Sequence, residues 1–225
     1  MSDDGGSILA EKDARRAWLV GGCLMLGSVA VGLISAQTAG TMVQPWIGWL
    51  GALAWAAALA VFALGIRGGG SVVGRRSLGV AALLVAGIAP LAFQLFWAVA
   101  AGPVLEAGGL DASLTIGYLQ LLIPGVALLI AVVVIVRADA VPRSVRWVPA
   151  IVFAANAAVQ LLVQVAALAA PALGQQVIVP LYAFAGLVDT AGSLLLGVLA
   201  VVYGLRREPP STVQVYPAPE RPISG

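Results

Sequence analysis

Six long apolar runs, separated by short polar or glycine-rich connections, dominate the pattern of the chain. Each run has at least 18 residues and at most one charged residue, and about 20 apolar residues are needed to cross a bilayer core of about 30 Å. Backbone groups in hydrocarbon must find hydrogen-bond partners within the protein, so the runs are predicted to be helices despite their high Ala, Gly and Val content. The predicted spans are Trp18–Ala39, Pro45–Ile66, Leu78–Ala101, Ser113–Val136, Trp147–Ala170 and Val177–Leu205.

The composition agrees with a lipid environment. Of the 225 residues, 61% are hydrophobic and 10% are charged, whereas a soluble domain has about 25% charged residues. We therefore predict an all-α integral membrane protein, a six-transmembrane-helix bundle whose short connections make successive spans antiparallel neighbours. An N-terminal segment, residues 1–17, precedes the transmembrane domain, residues 18–205, and the Pro-rich tail, residues 206–225, is predicted to be disordered. We expect the first span to be retained, because its apolar run is longer than the core of a signal peptide.

The distribution of basic residues predicts the orientation in the membrane. All 12 lie before the first span or after the second, fourth or sixth span, namely Lys12, Arg15, Arg16, Arg67, Arg75, Arg76, Arg137, Arg143, Arg146, Arg206, Arg207 and Arg221. The other three connections carry none, and one of them holds Glu106 and Asp111. Since cytoplasmic loops are enriched in Lys and Arg, both termini are predicted to be cytoplasmic in a multi-pass protein of the cell membrane. We expect the basic residues to contact anionic lipid headgroups and not nucleic acid.

The scarcity of His and Cys limits the chemistry that the chain can perform. It has no His and a single Cys, Cys23, so zinc or haem sites built on His or Cys are excluded. Catalytic triads with a His base are excluded as well. No span contains a pair of acidic residues. We therefore expect the protein not to be an enzyme and to use no cofactor or metal.

Polar side chains recur at one depth in four of the spans. Each of these spans holds a polar residue 16 or 17 positions from one end, namely the end that adjoins a basic connection. The residues are Gln94, Gln120, Gln164 and Asp189. At 1.5 Å per residue this depth is about 24 Å, somewhat beyond the midplane of the bilayer. The coincidence predicts a polar layer inside the membrane.

Spans five and six each present a face suited to the interior of the bundle. Asn156, Gln160 and Gln164 recur at every fourth residue and therefore share one helix face, where contact with lipid would be costly. In span six, Asp189 belongs to a stripe rich in small residues that comprises Tyr182, Ala185, Gly186, Ser193 and Gly197. Small residues allow membrane helices to approach closely. We expect both faces to point inward.

Asp189 is the most unusual residue of the spans. A charged side chain in a membrane helix costs about 2.5–3.5 kcal/mol on insertion scales, and no span holds a Lys or Arg to pair with it. The hypothesis is that Asp189 is protonated, or hydrogen-bonded by the amides of spans three to five, at neutral pH. Two roles stay open for it. It either holds helices together, as polar side chains in membranes often do, or binds a solute or a proton.

Two prolines interrupt adjacent spans. Pro90 and Pro124 lie 12 residues from the end of their span that borders a basic connection, and each removes one helical hydrogen bond. Proline is commonly tolerated in membrane helices. The alternative interpretation is a pair of hinges, or carbonyl groups that line a cavity.

These features favour a small-solute permease or a membrane substrate-binding subunit that uses the polar layer as its site. The predicted substrate-binding residues are Asp189, Gln164, Gln160, Asn156, Gln94 and Gln120. Without Arg or Lys in the spans, such a site suits a neutral or cationic solute and not a phosphorylated one. The alternative is a non-catalytic accessory or structural subunit. In that case a small-residue face such as "GSVAVGLISA" of the first span would pack against another membrane protein.

Overall fold

The chain folds into long helices. The structure is a computed structural model, and it describes residues 4–66, 71–74, 76–138, 146–168 and 175–206. These residues form α1 (Asp4–Gln37), α2 (Gln44–Leu64), α3 (Ser77–Val99), α4 (Ala101–Arg137), α5 (Val148–Leu168) and α6 (Gln175–Leu205). Each of the six is long and apolar enough to span a membrane. The predicted all-α bundle of six transmembrane helices is therefore confirmed, and the chain is a multi-pass membrane protein.

Two helices extend beyond the apolar runs that predicted them. α1 begins at Asp4, inside the segment expected to precede the first span, and α4 begins at Ala101. The connection expected near residues 102–112 is consequently helical. Apolar runs mark the part of a helix that lies in lipid, and a helix continues into water where its backbone hydrogen bonds are maintained. Pro103 lies in the first turn of α4, where its missing N–H is tolerated.

The six helices form a closed ring. Within the described ranges, each helix packs against its neighbours in the chain and α1 also packs against α6, while no other pair of helices brings Cα atoms within 8 Å. This order follows from short connections, which make consecutive helices antiparallel neighbours. The contact between α4 and α5 is the least extensive of the ring, so this seam is its loosest part.

Glycines close the ring between α1 and α6. A Cβ atom on Gly22 would lie 2.9 Å from the carbonyl oxygen of Gly197 and 2.9 Å from the backbone nitrogen of Val201. A side chain there would force the helices apart, so glycine is required for this close packing. The Arg15 Nε–H donates a hydrogen bond to the carbonyl oxygen of Gly204, at 3.3 Å. The first part of α1 therefore lies beside the end of α6.

Basic residues gather at this end of the ring, here termed the basic end. It consists of the first turns of α3 and α5, the neighbouring part of α1 and the last turns of α2, α4 and α6. Its described basic residues are Lys12, Arg15, Arg16, Arg76, Arg137, Arg146 and Arg206. The Arg146 Nε–H donates to the carbonyl oxygen of Val136 and so joins α5 to α4. Arg67, Arg75, Arg143, Arg207 and Arg221 lie outside the described residues, as does the predicted tail after Arg206. The cytoplasmic orientation of this end stays a prediction.

The connection between α2 and α3 folds into the basic end. Its Val72 and Val73 are buried, and they belong to a core cluster that draws mainly on α2, α3 and α4 and includes Met25 of α1 and Ala200 of α6. The Val72 N–H donates to the carbonyl oxygen of Phe62 at 3.0 Å, and the Ser71 hydroxyl donates to that of Ala63 at 2.7 Å. These bonds satisfy carbonyl groups at the end of α2 that have no partner within the helix. The connection thereby fills the interior of the ring at this level.

Candidate functional site

A cavity of about 630 Å³ lies mainly between α4, α5 and α6, and it is partly open, since Leu122 and Leu161 of its lining are 56% and 67% exposed. α4 lines the cavity over more than half of its circumference between Gln120 and Ile135. On α6 one face lines it, and this face comprises Asp189, Ser193, Leu196, Leu199, Ala200 and Tyr203. From Asp189 to Tyr203 the lining covers 14 residue steps, which is about 21 Å along the helix at 1.5 Å per residue. The faces of α4 and α5 have similar lengths. The cavity, here termed the slot, is therefore elongated along the axis of the bundle.

The packing of α5 on α6 sets the level of the polar groups in the slot. A Cβ atom on Gly192 would lie 2.7 Å from Cγ1 of Val152 and 3.2 Å from Nδ2 of Asn156, so Asn156 lies beside Gly192. Since the two helices are antiparallel, one turn along α5 brings Gln160 to the level of residue 188, next to the level of Asp189. Polar side chains from both helices therefore lie within about one helical turn, or ~5.4 Å, of one another along the slot.

A polar residue of α4 reaches the same region. Gln120 lines the slot and lies 17 residues before Arg137, the last residue of α4, which is about 25 Å from the basic end. Its Oε1 accepts a hydrogen bond from the Nε1–H of Trp97 on α3, at 3.3 Å. This bond orients the amide of Gln120. The part of the slot that contains these groups is here termed the polar end, and it is lined by Gln120, Asn156, Gln160, Asp189 and Ser193.

The rest of the slot is apolar and aromatic. Towards the basic end it is lined by the rings of Trp18, Trp55, Phe62, Phe153 and Tyr203. Trp18 contacts two of these rings, with centroids 5.8 Å from Phe62 and 6.0 Å from Tyr203. Tilted ring pairs at such distances are favourable and hold each other in place. Among the described residues that line the slot, none is Lys or Arg.

Four of the six predicted site residues meet in the slot, and two lie elsewhere. Gln120, Asn156, Gln160 and Asp189 line the slot. Gln94 lies in the seam between α2 and α3, where its Nε2 donates to the carbonyl oxygen of Gly48 at 3.3 Å. Its Oε1 is buried and has no hydrogen-bond partner in the described part of the chain. Gln164 lies one turn beyond Gln160 and does not line the slot.

Asp189 faces the slot without a protein partner. It is exposed, and within the described residues it forms no hydrogen bond or ion pair. The hydrogen bonds from amides of neighbouring spans, one of the states considered for Asp189, are therefore not formed. A carboxyl group that faces a cavity is available to a ligand, whereas a group that holds helices together is bonded across them.

Pro124 adds a further acceptor to the polar end. It lines the slot together with Gly125, and its nitrogen cannot donate to the residue four positions earlier. That residue is Gln120, so the main-chain carbonyl of Gln120 lacks the partner that it would have in a regular helix. Ordinary tolerance, a hinge and carbonyl groups along a cavity all stay predictions for Pro124, which lines the slot. Pro90 does not line the slot.

Several lining residues were not predicted as site residues. Ser193 follows Asp189 by four residues, and this spacing was the available signal, since such residues share a helix face. The aromatic residues Trp55, Phe153 and Tyr203 carried no such signal. An aromatic side chain in a membrane helix is equally suited to lipid, to an interface and to a cavity wall.

Comparisons with known proteins give no relative. A scan against protein-family models, a search of curated proteins and a search of solved structures found no match.

Proposed function

We propose that this multi-pass membrane protein binds a small solute in the slot, either as a permease or as a membrane substrate-binding subunit of a transport system. The observation that carries the proposal is the convergence of Gln120, Asn156, Gln160 and Asp189 on one cavity between α4, α5 and α6. Ligand sites are typically concave, about 300–1,000 Å³ in volume, and mostly apolar with a few oriented polar groups. The slot, at about 630 Å³, has this character.

The charge of the lining defines which solutes the slot accepts. Its one acidic side chain is Asp189, and the described lining residues include no Lys or Arg. Phosphate and carboxylate groups are usually recognised by Arg or Lys. The solute is therefore neutral or cationic.

Thermal stabilisation tests this proposal directly. The purified protein in lipid nanodiscs is heated with glycerol, ethanolamine, dodecanol, dodecylamine or dodecanoate, and unfolding is followed by tryptophan fluorescence. A ligand that binds only the folded state at 100 times its Kd stabilises it by about 2.7 kcal/mol. We expect at least one neutral or cationic compound to raise the Tm of the wild-type protein, and Asp189→Leu to lose this response. A panel without any response in the wild-type protein would contradict the proposal.

Transport is tested separately in proteoliposomes. Uptake of the stabilising solute, measured with and without a proton gradient, distinguishes a permease from a binding subunit that needs a partner. Uptake by the protein alone identifies a permease. Stabilisation without uptake identifies a binding subunit.

An accessory role is the second candidate, and a specific observation on α1 favours it. Gly27 and Gly32 belong to the small-residue segment of the first span, and a Cβ atom on either would meet nothing within 4 Å. Gly22 of the same helix, by contrast, is in close contact with α6. An unoccupied small-residue face is suited to a helix of another membrane protein. Co-purification of a stoichiometric membrane partner, lost in Gly27→Leu, would support this role, whereas an isolated protein of monomeric mass would contradict it.

A further inference from the structure

We infer that the slot binds a cationic amphiphile, with a primary ammonium group at the polar end and an apolar chain or flat ring system extending towards the basic end. This inference rests on the proposed function, since it names the class of solute. Three features of the slot support it: the type of polar atoms at the polar end, the shape of the slot and the distribution of charge along it.

The polar end is rich in hydrogen-bond acceptors. Asp189 contributes a carboxyl group with no protein partner in the described residues, and Gln120 contributes the main-chain carbonyl that Pro124 leaves unpaired. Asn156 and Gln160 add amide oxygens at the same level. An ammonium group has three donors and no acceptor. It can therefore bond to the carboxyl group of Asp189 and to two neutral oxygens at once, and when it is bound its positive charge favours the ionised form of that carboxyl group.

The shape of the slot suits one extended molecule. A volume of about 630 Å³ distributed over ~21 Å gives a mean cross-section of about 30 Å². Non-bonded carbon atoms approach to about 3.5–4.0 Å, so this cross-section accommodates one hydrocarbon chain or one flat ring system. A fully extended chain advances about 3.3–3.6 Å over three bonds, so a 12-carbon chain is about 13 Å long and fits within the length of the slot.

The charge distribution disfavours the opposite arrangement of a lipid-like anion that fills the slot. With its headgroup at the basic end, an anion of this length would place the end of its hydrocarbon tail against Asp189, Asn156 and Gln160. Those groups would then lose access to water without gaining hydrogen bonds, which is costly for each of them. A cationic head at the polar end avoids this cost, and its apolar body lies against Trp55, Phe62 and Leu128.

Competition binding tests the inference. Wild-type protein in nanodiscs is equilibrated with radiolabelled dodecylamine, and saturable binding is displaced by unlabelled dodecylamine, dodecanol, dodecanoate or ethylamine. The two C12 competitors change the head at constant chain length, and ethylamine keeps the head without the chain. We expect dodecanol, dodecanoate and ethylamine each to compete at least 10-fold less well than dodecylamine. The lost interactions are a charge-assisted hydrogen bond or the contacts of ten methylenes.

Variants of Asp189 complete the test. Asp189→Asn keeps the shape of the side chain but removes its charge. We expect it to raise the Kd of dodecylamine at least 10-fold, because removing the charge of one member of a desolvated charge pair is costly. Asp189→Glu keeps the charge, and a Kd within about threefold of wild type is expected. Unchanged affinity in Asp189→Asn would overturn the inference. The wild-type competition series does not depend on whether any variant folds.

The outcomes separate this inference from the proposed function. If dodecanol or dodecanoate competes as well as dodecylamine, and Gln160→Leu weakens that binding, the cationic class is wrong while solute binding in the slot stands. If the wild-type protein shows no saturable dodecylamine binding but responds to another compound of the stabilisation panel, the inference alone fails. If no compound binds, the inference and the proposed function fail together.

Discussion

Substituting Gly192 by Ala perturbs the contact on which the level of the polar groups depends. The added Cβ would lie 2.7 Å from Cγ1 of Val152 and 3.2 Å from Nδ2 of Asn156. Val152 is β-branched and has one strongly preferred rotamer in a helix, so the clash is relieved by separating α5 from α6. Overpacking of this kind costs about 1–3 kcal/mol. For chains of 150–250 residues this corresponds to a fall in Tm of about 2–12 °C.

The matched control for this substitution lies on the same helix. Gly186 is exposed, and a Cβ atom on it would meet nothing within 4 Å, so Gly186→Ala is expected to change the free energy of unfolding by less than about 0.5 kcal/mol. Thermal unfolding of Gly192→Ala, Gly186→Ala and the wild-type protein is followed in nanodiscs by tryptophan fluorescence. Both variants make the same chemical change, so the difference between them measures the contact.

Solute binding gives the same comparison a second readout. The displacement of Asn156 in Gly192→Ala is expected to weaken the binding of a stabilising solute, whereas Gly186→Ala leaves it unchanged. If the two variants have equal Tm values and equal affinities, α5 does not pack on α6 through Val152 and Asn156. The deduced register of Gln160 with Asp189 would then be wrong.

Three other predictions concern ring closure, orientation and proton coupling. Gly22→Ala is expected to destabilise the protein by about 1–3 kcal/mol through backbone clashes at 2.9 Å, while Gly27→Ala leaves the Tm of the protein unchanged. Equal Tm values of the two variants would contradict the contact between α1 and α6. In a cysteine-free background, Thr41→Cys is expected to react with a membrane-impermeant maleimide in intact cells, and Arg76→Cys only after the cells are permeabilised. The reverse pattern would contradict the predicted cytoplasmic orientation of the basic end. Proton-driven uptake is expected to be lost in Asp189→Asn, which cannot titrate, and uptake with an unchanged dependence on the gradient would exclude Asp189 from coupling.

The spans were predictable because the membrane imposes one dominant constraint on the sequence. An apolar run must be helical in lipid, so the predicted span Pro45–Ile66 corresponds closely to α2, Gln44–Leu64. The extension of α4 back to Ala101 was not predictable in this way. Hydropathy reports where a helix lies in lipid, and the residues before Thr115 form the part of α4 that precedes its apolar run.

The site was predictable only in part. The position of a residue in the sequence gives its depth along a helix, but the direction of its side chain within the bundle depends on how the helices pack. Gln94 and Asp189 have equal predicted depths, yet Gln94 contacts Gly48 of α2 while Asp189 faces the slot. Which way Gln94 points depends on how α3 rotates against α2, and this rotation is set by the packing of Gly87 on Ala56. The spacing of Asn156, Gln160 and Gln164 predicted a shared face, but not the level at which the slot ends.

The most direct test of the central claim compares two glutamines of α5. The claim is that polar side chains of α4, α5 and α6 share one solute-binding slot, which Gln160 lines and Gln164 does not. Gln160→Leu and Gln164→Leu make the same change one helical turn apart, and the affinity of each variant is measured for the compound that most stabilises the wild-type protein. Leaving a buried polar group of the ligand without its hydrogen bond costs about 1–3 kcal/mol, so Gln160→Leu is expected to raise the Kd by about 5- to 150-fold and Gln164→Leu to leave it within about twofold. Equal effects of the two substitutions, or a larger effect of Gln164→Leu, would contradict the assignment of the slot as the binding site.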